Sequence, residues 1–218
     1  VYMHLATAEA SLQDPGADYW TLAYNEAKEV YGKYSLVSDF ASLWTEADGN
    51  NTQESILEIQ FNEIQSSNFV RLWTASNATA GSTWGRLRAN PEVYDLHAAT
   101  YPGDSRIDET FKSDYINYSN GSSRKSYPST TRTNFSTGFP YVYKYWEKNA
   151  SNPTTANQKN FIVYRYADLL LMLAEISNEL QNGEELGYVT EVLNRVGVTP
   201  HTDYNAGQDS FRQAIMRE

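Results

Sequence analysis

Residues 161–183, FIVYRYADLLLMLAEISNELQNG, constrain this chain more than any other stretch, because an almost wholly apolar segment is marked there by a thin polar line. Arg165, Asp168, Glu175 and Glu179 recur at helical spacings, while Leu169, Leu170, Leu171, Met172, Leu173 and Ile176 fill the remaining circumference. A helix of that pattern must be enclosed on most sides, so other helices have to cover it. Asn182-Gly183 supplies a C-terminal stop, and Glu184 to Val196 reads as an antiparallel partner with Leu186, Val189, Val192 and Leu193 inward. Residues 163–197 therefore read as a helix hairpin.

A second hairpin opens the chain. Leu5, Ala8 and Leu12 share one helical face, Asp14-Pro15-Gly16 is a turn sequence, and Asp18 to Tyr31 carries Trp20, Ala23, Ala27 and Val30 at helical spacing. Alanines facing aromatics in two short antiparallel helices resemble a tetratricopeptide unit, which cannot bury its apolar face alone. Between the hairpins, which span residues 1–34 and 163–197, the period changes. Ser55 to Phe61 alternates as a strand with Leu57, Ile59 and Phe61 on one face, as does Tyr141 to Trp146. Asn90-Pro91-Glu92 opens a short helix through His97, with an N-cap, a proline in the first turn and an acid near the positive end of the dipole. The rest of an insertion over residues 48–160 reads as long loops, and residues 62–89 and 98–140 are where specificity is expected. Residues 101–146 are rich in tyrosine, so these loops are expected to pack. The fold class is mainly α: tetratricopeptide-like hairpins with a large loop-rich insertion and a few short strands, in one domain over residues 1–218.

The balance of 17 basic against 27 acidic residues leaves a formal charge of −10, which disfavours nucleic acid and anionic lipid as partners. There is no cysteine, and His4, His97 and His201 are widely spaced, so no metal-ligand pattern appears and no cofactor is expected. Asp48 to Glu54 offers oxygens but lacks the spacing of a calcium loop. No stretch has the length of a membrane span or the build of a signal peptide. Val1 already stands mid-helix with no N-cap before it, which predicts a fragment.

The order R-Y-A-D-L-L-L-M-x-A-E from Arg165 to Glu175 resembles the signature helix of the SusD/RagB family of outer-membrane glycan-binding lipoproteins. Four further stretches are similar to that family in the right order. Residues 1–34 resemble its alanine-rich helix pair, and Gln53 to Phe61 its E-x-I-x-E-I-Q-F strand. Asn90 to Asp95 followed by Gly103-Asp104-Ser105-Arg106-Ile107 resembles its P-x-x-L-Y-D and D-P-R segments. Asn194-Arg195-Val196-Gly197-Val198 resembles the R-x-R-A-G-V close of the hairpin, with an alanine and one arginine missing. Family members continue through a further helix where this chain ends at Ala214-Ile215-Met216-Arg217-Glu218, so truncation at both ends is expected. The resemblance implies a non-catalytic protein of the cell surface. It would capture an oligo- or polysaccharide and deliver it to a SusC-like, TonB-dependent outer-membrane transporter. It would be lipid-anchored through an N-terminal cysteine outside this chain.

Capturing sugar without chemistry needs flat aromatic faces for the C–H faces of the rings, with amide or guanidinium groups around them for the hydroxyls. Residues 73–88 place Trp73 and Trp84 in a small, polar loop, and both are candidate platforms. The alternative for either ring is a plug between loop and helical layer; Trp84, flanked by Ser82 and Gly85, is favoured over Trp73, which follows Val70 and Leu72. Asn77, Arg86 and Arg88 are candidate hydrogen-bonding groups, and Tyr101, Tyr118 and Tyr127 candidate second rings, most of them expected to prove structural. Tyr141, Tyr143 and Tyr145 read as one strand face against the core. Arg165 with Asp168 reads as a helix-surface pair, and Asp104 and Arg106 as turn and capping residues. Two other classes compete. One is a helical-repeat adaptor with a protein partner. The other is a glycoside hydrolase, for which Asp95, Asp104, Asp108, Glu109 and Asp114 offer carboxylates without selecting a pair.

Overall fold

The computed structural model describes residues 1–7, 18–129 and 138–218. In chain order its elements are α1 (Tyr2–Thr7), α2 (Tyr19–Val30), β1 (Ser55–Ile59), α3 (Phe69–Trp73), α4 (Pro91–Thr100), α5 (Ser105–Thr110), β2 (Phe111–Lys112), β3 (Asp114–Ile116), β4 (Ser123–Lys125), β5 (Tyr141–Val142), β6 (Phe161–Arg165), α6 (Tyr166–Leu180), α7 (Glu185–Asn194) and α8 (Gln208–Ile215). Short 3-10 turns lie at Phe40–Trp44 and Thr202–Asn205. The expected Asp14-Pro15-Gly16 turn, with Ala8 and Leu12, falls outside the described residues. Two compact units emerge: a helical one of residues 1–38, 53–57 and 163–218, and a loop-rich one of residues 39–52 and 58–162. The chain passes between them within β1 and β6, which are hydrogen-bonded neighbours.

In the helical unit the apolar segment becomes α6, and it begins later than its periodicity predicts. Phe161 to Arg165 is strand, because a run of aromatic and β-branched residues favours extended backbone over helix. Arg165 is the N-cap, in extended conformation, and Asp168 at the third helical position accepts a hydrogen bond from the Arg165 amide at 2.9 Å. Gln181 closes the helix in the left-handed region, with φ 51°. No residue of α6 is exposed, and Leu170, Leu173 and Ala174 are fully buried, so the enclosure expected of it holds. It is covered by α2, α7 and α8, with Val189 and Leu193 of α7 also fully buried. α2 begins where Asp18 accepts from the Thr21 amide at 3.0 Å.

The same unit corrects the reading of Arg165. Its guanidinium lies 4.0 Å from Asp168 but 2.6 Å from the carboxylate of Glu54, a residue with no exposure. Arg195 Nη1 reaches both Glu54 oxygens at 3.0 Å, and the Val37 amide donates to Oε2 at 2.9 Å. Removing a carboxylate from water costs several kcal/mol, and two cations plus an amide offset that cost here. A pair worth tenths of a kcal/mol on a helix surface is therefore part of a buried cluster.

The loop-rich unit holds two further antiparallel strand pairs. Phe111 and Lys112 of β2 face Val142 and Tyr141 of β5, and Asp114, Tyr115 and Ile116 of β3 face Lys125, Arg124 and Ser123 of β4. The strand expected from Tyr141 to Trp146 is thus only two residues long. Tyr141, Tyr145 and Trp146 are nonetheless buried, as core packing requires. Expected helix starts form: Asn90 accepts from the Glu92 amide at 3.0 Å, and Asp104 from the Arg106 amide at 2.8 Å. Asp104 is also buried, with Arg106 Nη2 at 2.6 Å and His97 Nε2 at 2.9 Å. Burial pushes its pKa up, but the hydrogen bonds from His97 and Arg106 outweigh that and hold it well below the usual carboxylate range. Tyrosine-rich loops do pack here. Tyr141 and Trp146 meet edge to face at 5.1 Å, against Ala75 and Ala78, with Tyr115 and Tyr143 beside them. Leu57 and Ile59 of β1 are each 51% exposed.

Candidate functional site

Trp84 stands out in the loop-rich unit because a large ring is left 42% exposed where most described rings are buried or half-buried. The loop that carries it is anchored by backbone hydrogen bonds, Trp84 N to Arg71 O and Arg86 N to Leu72 O, both at 2.8 Å. Those bonds bring two cations to the indole: Arg71 Cζ lies 4.1 Å and Arg86 Cζ 4.7 Å from the ring centroid. A guanidinium over an aromatic face keeps its N–H groups for acceptors at the edge. Exposed apolar ring and adjoining donors are the two things a sugar ring with its hydroxyls requires.

Gly85 follows with φ +54°, and a Cβ there would come within 2.7 Å of both Ala75 Cα and a ring carbon of Tyr141, so only glycine lets the loop lie so close. Tyr141 in turn lines a concavity of about 310 Å³ with Ser76, Asn77, Tyr115, Asn117, Arg124, Lys125 and Ser126. That volume is in the range of small-molecule sites. Asn77 sits at its wall in the left-handed region, φ 62°, and its carbonyl accepts from the Tyr118 amide at 2.7 Å. Tyr115 also lines a second hollow of about 400 Å³, with Lys112, Asp114, Ile116, Tyr143, Trp146 and Lys148 among others.

Of the residues expected to bind, Trp84 and Arg86 are brought together, and Asn77 and Tyr118 meet through their backbones, with Tyr118 49% exposed. The others are built into the frame. Trp73 ends α3, half-buried, with its ring centroid 5.3 Å from that of buried Tyr145 in the same unit. Arg88 lies 3.3 Å over the Tyr141 ring and donates from Nε to the Gly85 carbonyl at 3.0 Å; burial lowers its pKa. Tyr101 is 7% exposed and packs on His97, and Tyr127, 8% exposed, donates its hydroxyl to Asp95. Neither of these two offers a face to a ligand. Sequence reasoning missed Arg71, Tyr115, Arg124 and Lys125. The last three sit in three-residue strands too short to show a period, and Arg71 is joined to Trp84 by a backbone pairing that no spacing rule announces.

Comparison with known proteins agrees with this architecture. A family model described as the SusD family matches residues 5–218. The chain belongs to the SusD family. Among curated relatives, the SusD-like protein P25 of Formosa agariphila is 36% identical over 89 residues, which cover 38% of this chain and 17% of that protein. A SusD superfamily protein from Parabacteroides distasonis superposes with a TM-score of 0.69 at 23% identity, covering 91% of this chain and 42% of its own. Surface glycan-binding protein A from Bacteroides thetaiotaomicron does so with a TM-score of 0.71 at 19% identity over 100% of this chain and 50% of its own. Its complex with laminarihexaose superposes with a TM-score of 0.65 at 18% identity, covering 99% of this chain and 50% of its own. These structures establish the SusD fold for the mainly helical chain with its loop-rich insertion. The chain spans half or less of the length of each of these relatives.

Proposed function

We propose that this chain is the ligand-capturing part of a cell-surface glycan-binding protein. It holds an oligo- or polysaccharide without cleaving it and passes it to a SusC-like, TonB-dependent outer-membrane transporter, the whole being held at the outer membrane by a lipidated N-terminal cysteine. The family supports the setting, and the neighbour named as a surface glycan-binding protein, matched also in complex with laminarihexaose, supports the ligand class. The observation that carries the reading is the exposed indole of Trp84 beside the guanidinium groups of Arg71 and Arg86. A pyranose laid on the open part of the ring meets apolar surface, and its hydroxyls meet N–H donors. Asn77, at the wall of the concavity that Tyr141 lines, and exposed Tyr118 are further candidate contacts.

Capture without cleavage is supported by the state of the carboxylates. Of the five candidate carboxylates, Asp95 accepts from Tyr127, Asp104 is locked by Arg106 and His97, and Glu109 pairs with Lys148 at 3.2 Å, while Asp108 and Asp114 stand exposed. Carboxylates tied to internal partners are poorly placed to act as a general acid and base across a sugar. Binding at one such site is expected in the micromolar to millimolar range, about −8 to −4 kcal/mol, which permits release to a transporter. The test is calorimetry with a panel of neutral and acidic oligosaccharides. Trp84→Ala should weaken binding about tenfold, a loss of about 1.4 kcal/mol, with unchanged circular dichroism. Unaltered affinity removes Trp84 from the site, and release of reducing sugar from any of the panel overturns capture.

A further inference from the structure

Charge is distributed unevenly along this acidic chain. Residues 64–91 and 115–146 together hold seven basic residues and no aspartate or glutamate, although the whole chain has 27 acidic residues. These two runs supply Trp84, its partners Arg71 and Arg86, and every residue that lines the 310 Å³ concavity. Arg124 and Lys125 stand exposed at that concavity, and Asp114, the cross-strand neighbour of Lys125, is not among its lining. Among the described residues Arg71, Arg86, Arg88, Arg124 and Lys125 form no ion pair with a carboxylate, whereas Lys28, Arg106, Lys148, Arg165, Arg195, Arg212 and Arg217 all do.

We infer that the glycan taken by this surface is anionic, a chain whose pyranose rings carry carboxylate or sulfate groups. The inference rests on the glycan-capture reading and narrows it. A cation that already faces a carboxylate gains little from a second anion, while one resting on a ring keeps its full charge and its N–H edge for an oxyanion. Guanidinium groups over Trp84 therefore set oxyanion donors beside the face on which a sugar stacks. Arg124 and Lys125 add two exposed cations at the concavity that Tyr115 and Tyr141 also line. A neutral sugar would use the rings and leave Arg71, Arg86, Arg124 and Lys125 without a counter-charge.

Calorimetry of the intact chain with a uronate oligosaccharide, a sulfated galactan oligosaccharide and laminarihexaose, matched in length, tests this. At low salt, where screening reaches only beyond about 10 Å, one or both anionic ligands should bind about tenfold or more tighter than laminarihexaose. Near 1 M salt, with a screening length of about 3 Å, the gap should close. The arms separate carboxylate from sulfate as the preferred group. R124Q/K125Q, on exposed strand positions, should shrink the preference while melting as the parent does, and R86Q should do the same through the Trp84 side. Laminarihexaose binding as tightly as both anionic ligands overturns the inference and leaves glycan capture standing. Polyphosphate binding as tightly as the anionic sugars also overturns it, because charge alone would then suffice. Binding of no glycan at all overturns the capture reading itself.

Discussion

The two units use their cations in opposite ways. In the helical unit, with 15 acidic and 6 basic residues, Lys28, Arg165, Arg195, Arg212 and Arg217 each sit on a carboxylate. In the loop-rich unit the numbers are 12 and 11, yet Arg71 and Arg86 rest on Trp84, Arg88 on Tyr141 and Lys112 on Tyr143, while Arg106 and Lys148 keep carboxylate partners. The Arg165 and Arg195 pairs with Glu54 are closed inside the helical unit, and the other three lie nearer the surface, each already facing a carboxylate. Cations held on rings are positioned by a weaker, less saturating contact and keep hydrogen-bond donors free. The difference can be broken experimentally.

The largest effect is expected at Glu54. Glu54→Gln leaves Arg165 and Arg195 buried around a neutral amide, and removing one partner of a buried ion cluster costs about 3–5 kcal/mol. Chemical denaturation of the variant beside the parent measures it. A loss under about 1 kcal/mol would mean that the helical unit does not depend on its carboxylate pairs, and the contrast between the units would fall. Leu170→Ala, at a fully buried position of α6, should cost about 2–5 kcal/mol through the cavity it leaves. A melting temperature equal to that of the parent would refute the enclosure of that helix.

Asp104, like Glu109 with Lys148, departs from the pattern of the loop-rich unit, since it pairs with Arg106 and His97 below the surface. A carboxyl held below its ordinary value near 3.9 contributes stability that is fully present above that value and is lost as pH falls toward the depressed one. The parent should therefore lose stability on acidification below about pH 4, and Asp104→Asn should be less stable near neutrality with a flatter acid limb. Denaturation midpoints at pH 3 and pH 6 for both proteins decide this. Parallel acid limbs would show that the ion pair is not what the low pKa reports.

How far the fold was legible followed the range of the physics involved. Caps at Asn90 and Asp104 could be read because a side-chain acceptor and the amides it satisfies lie within three residues. α6 could be read because its apolar residues outnumber what one face can hold, but its start could not, since an apolar run does not by itself separate strand from helix over Phe161 to Arg165. The Glu54 cluster was illegible: its arginines lie 111 and 141 residues along the chain, and no spacing rule joins them. In the candidate site Trp84 was legible as an unexplained ring in a polar loop. Which tyrosines were frame and which were surface was not, because Tyr101 and Tyr127 differ from Tyr118 only in tertiary contacts.

The smallest expected effect is the sharpest test of the comparison. Arg86 is exposed, pairs with no carboxylate among the described residues and touches the fold chiefly through the Trp84 ring, a contact worth about 0.5–1 kcal/mol at such a site. Arg86→Gln should therefore cost no more than about 1 kcal/mol, whereas Arg195→Gln, which uncovers the buried carboxylate of Glu54, should cost about 3–5 kcal/mol. The same substitution in the two units then reads out two different uses of one side chain. If both variants lose stability alike, ring-held cations are as much a part of the frame as paired ones. If Arg86→Gln is nearly silent in denaturation, its charge is dispensable to folding, and a cation that the fold does not need is available to whatever lies on Trp84.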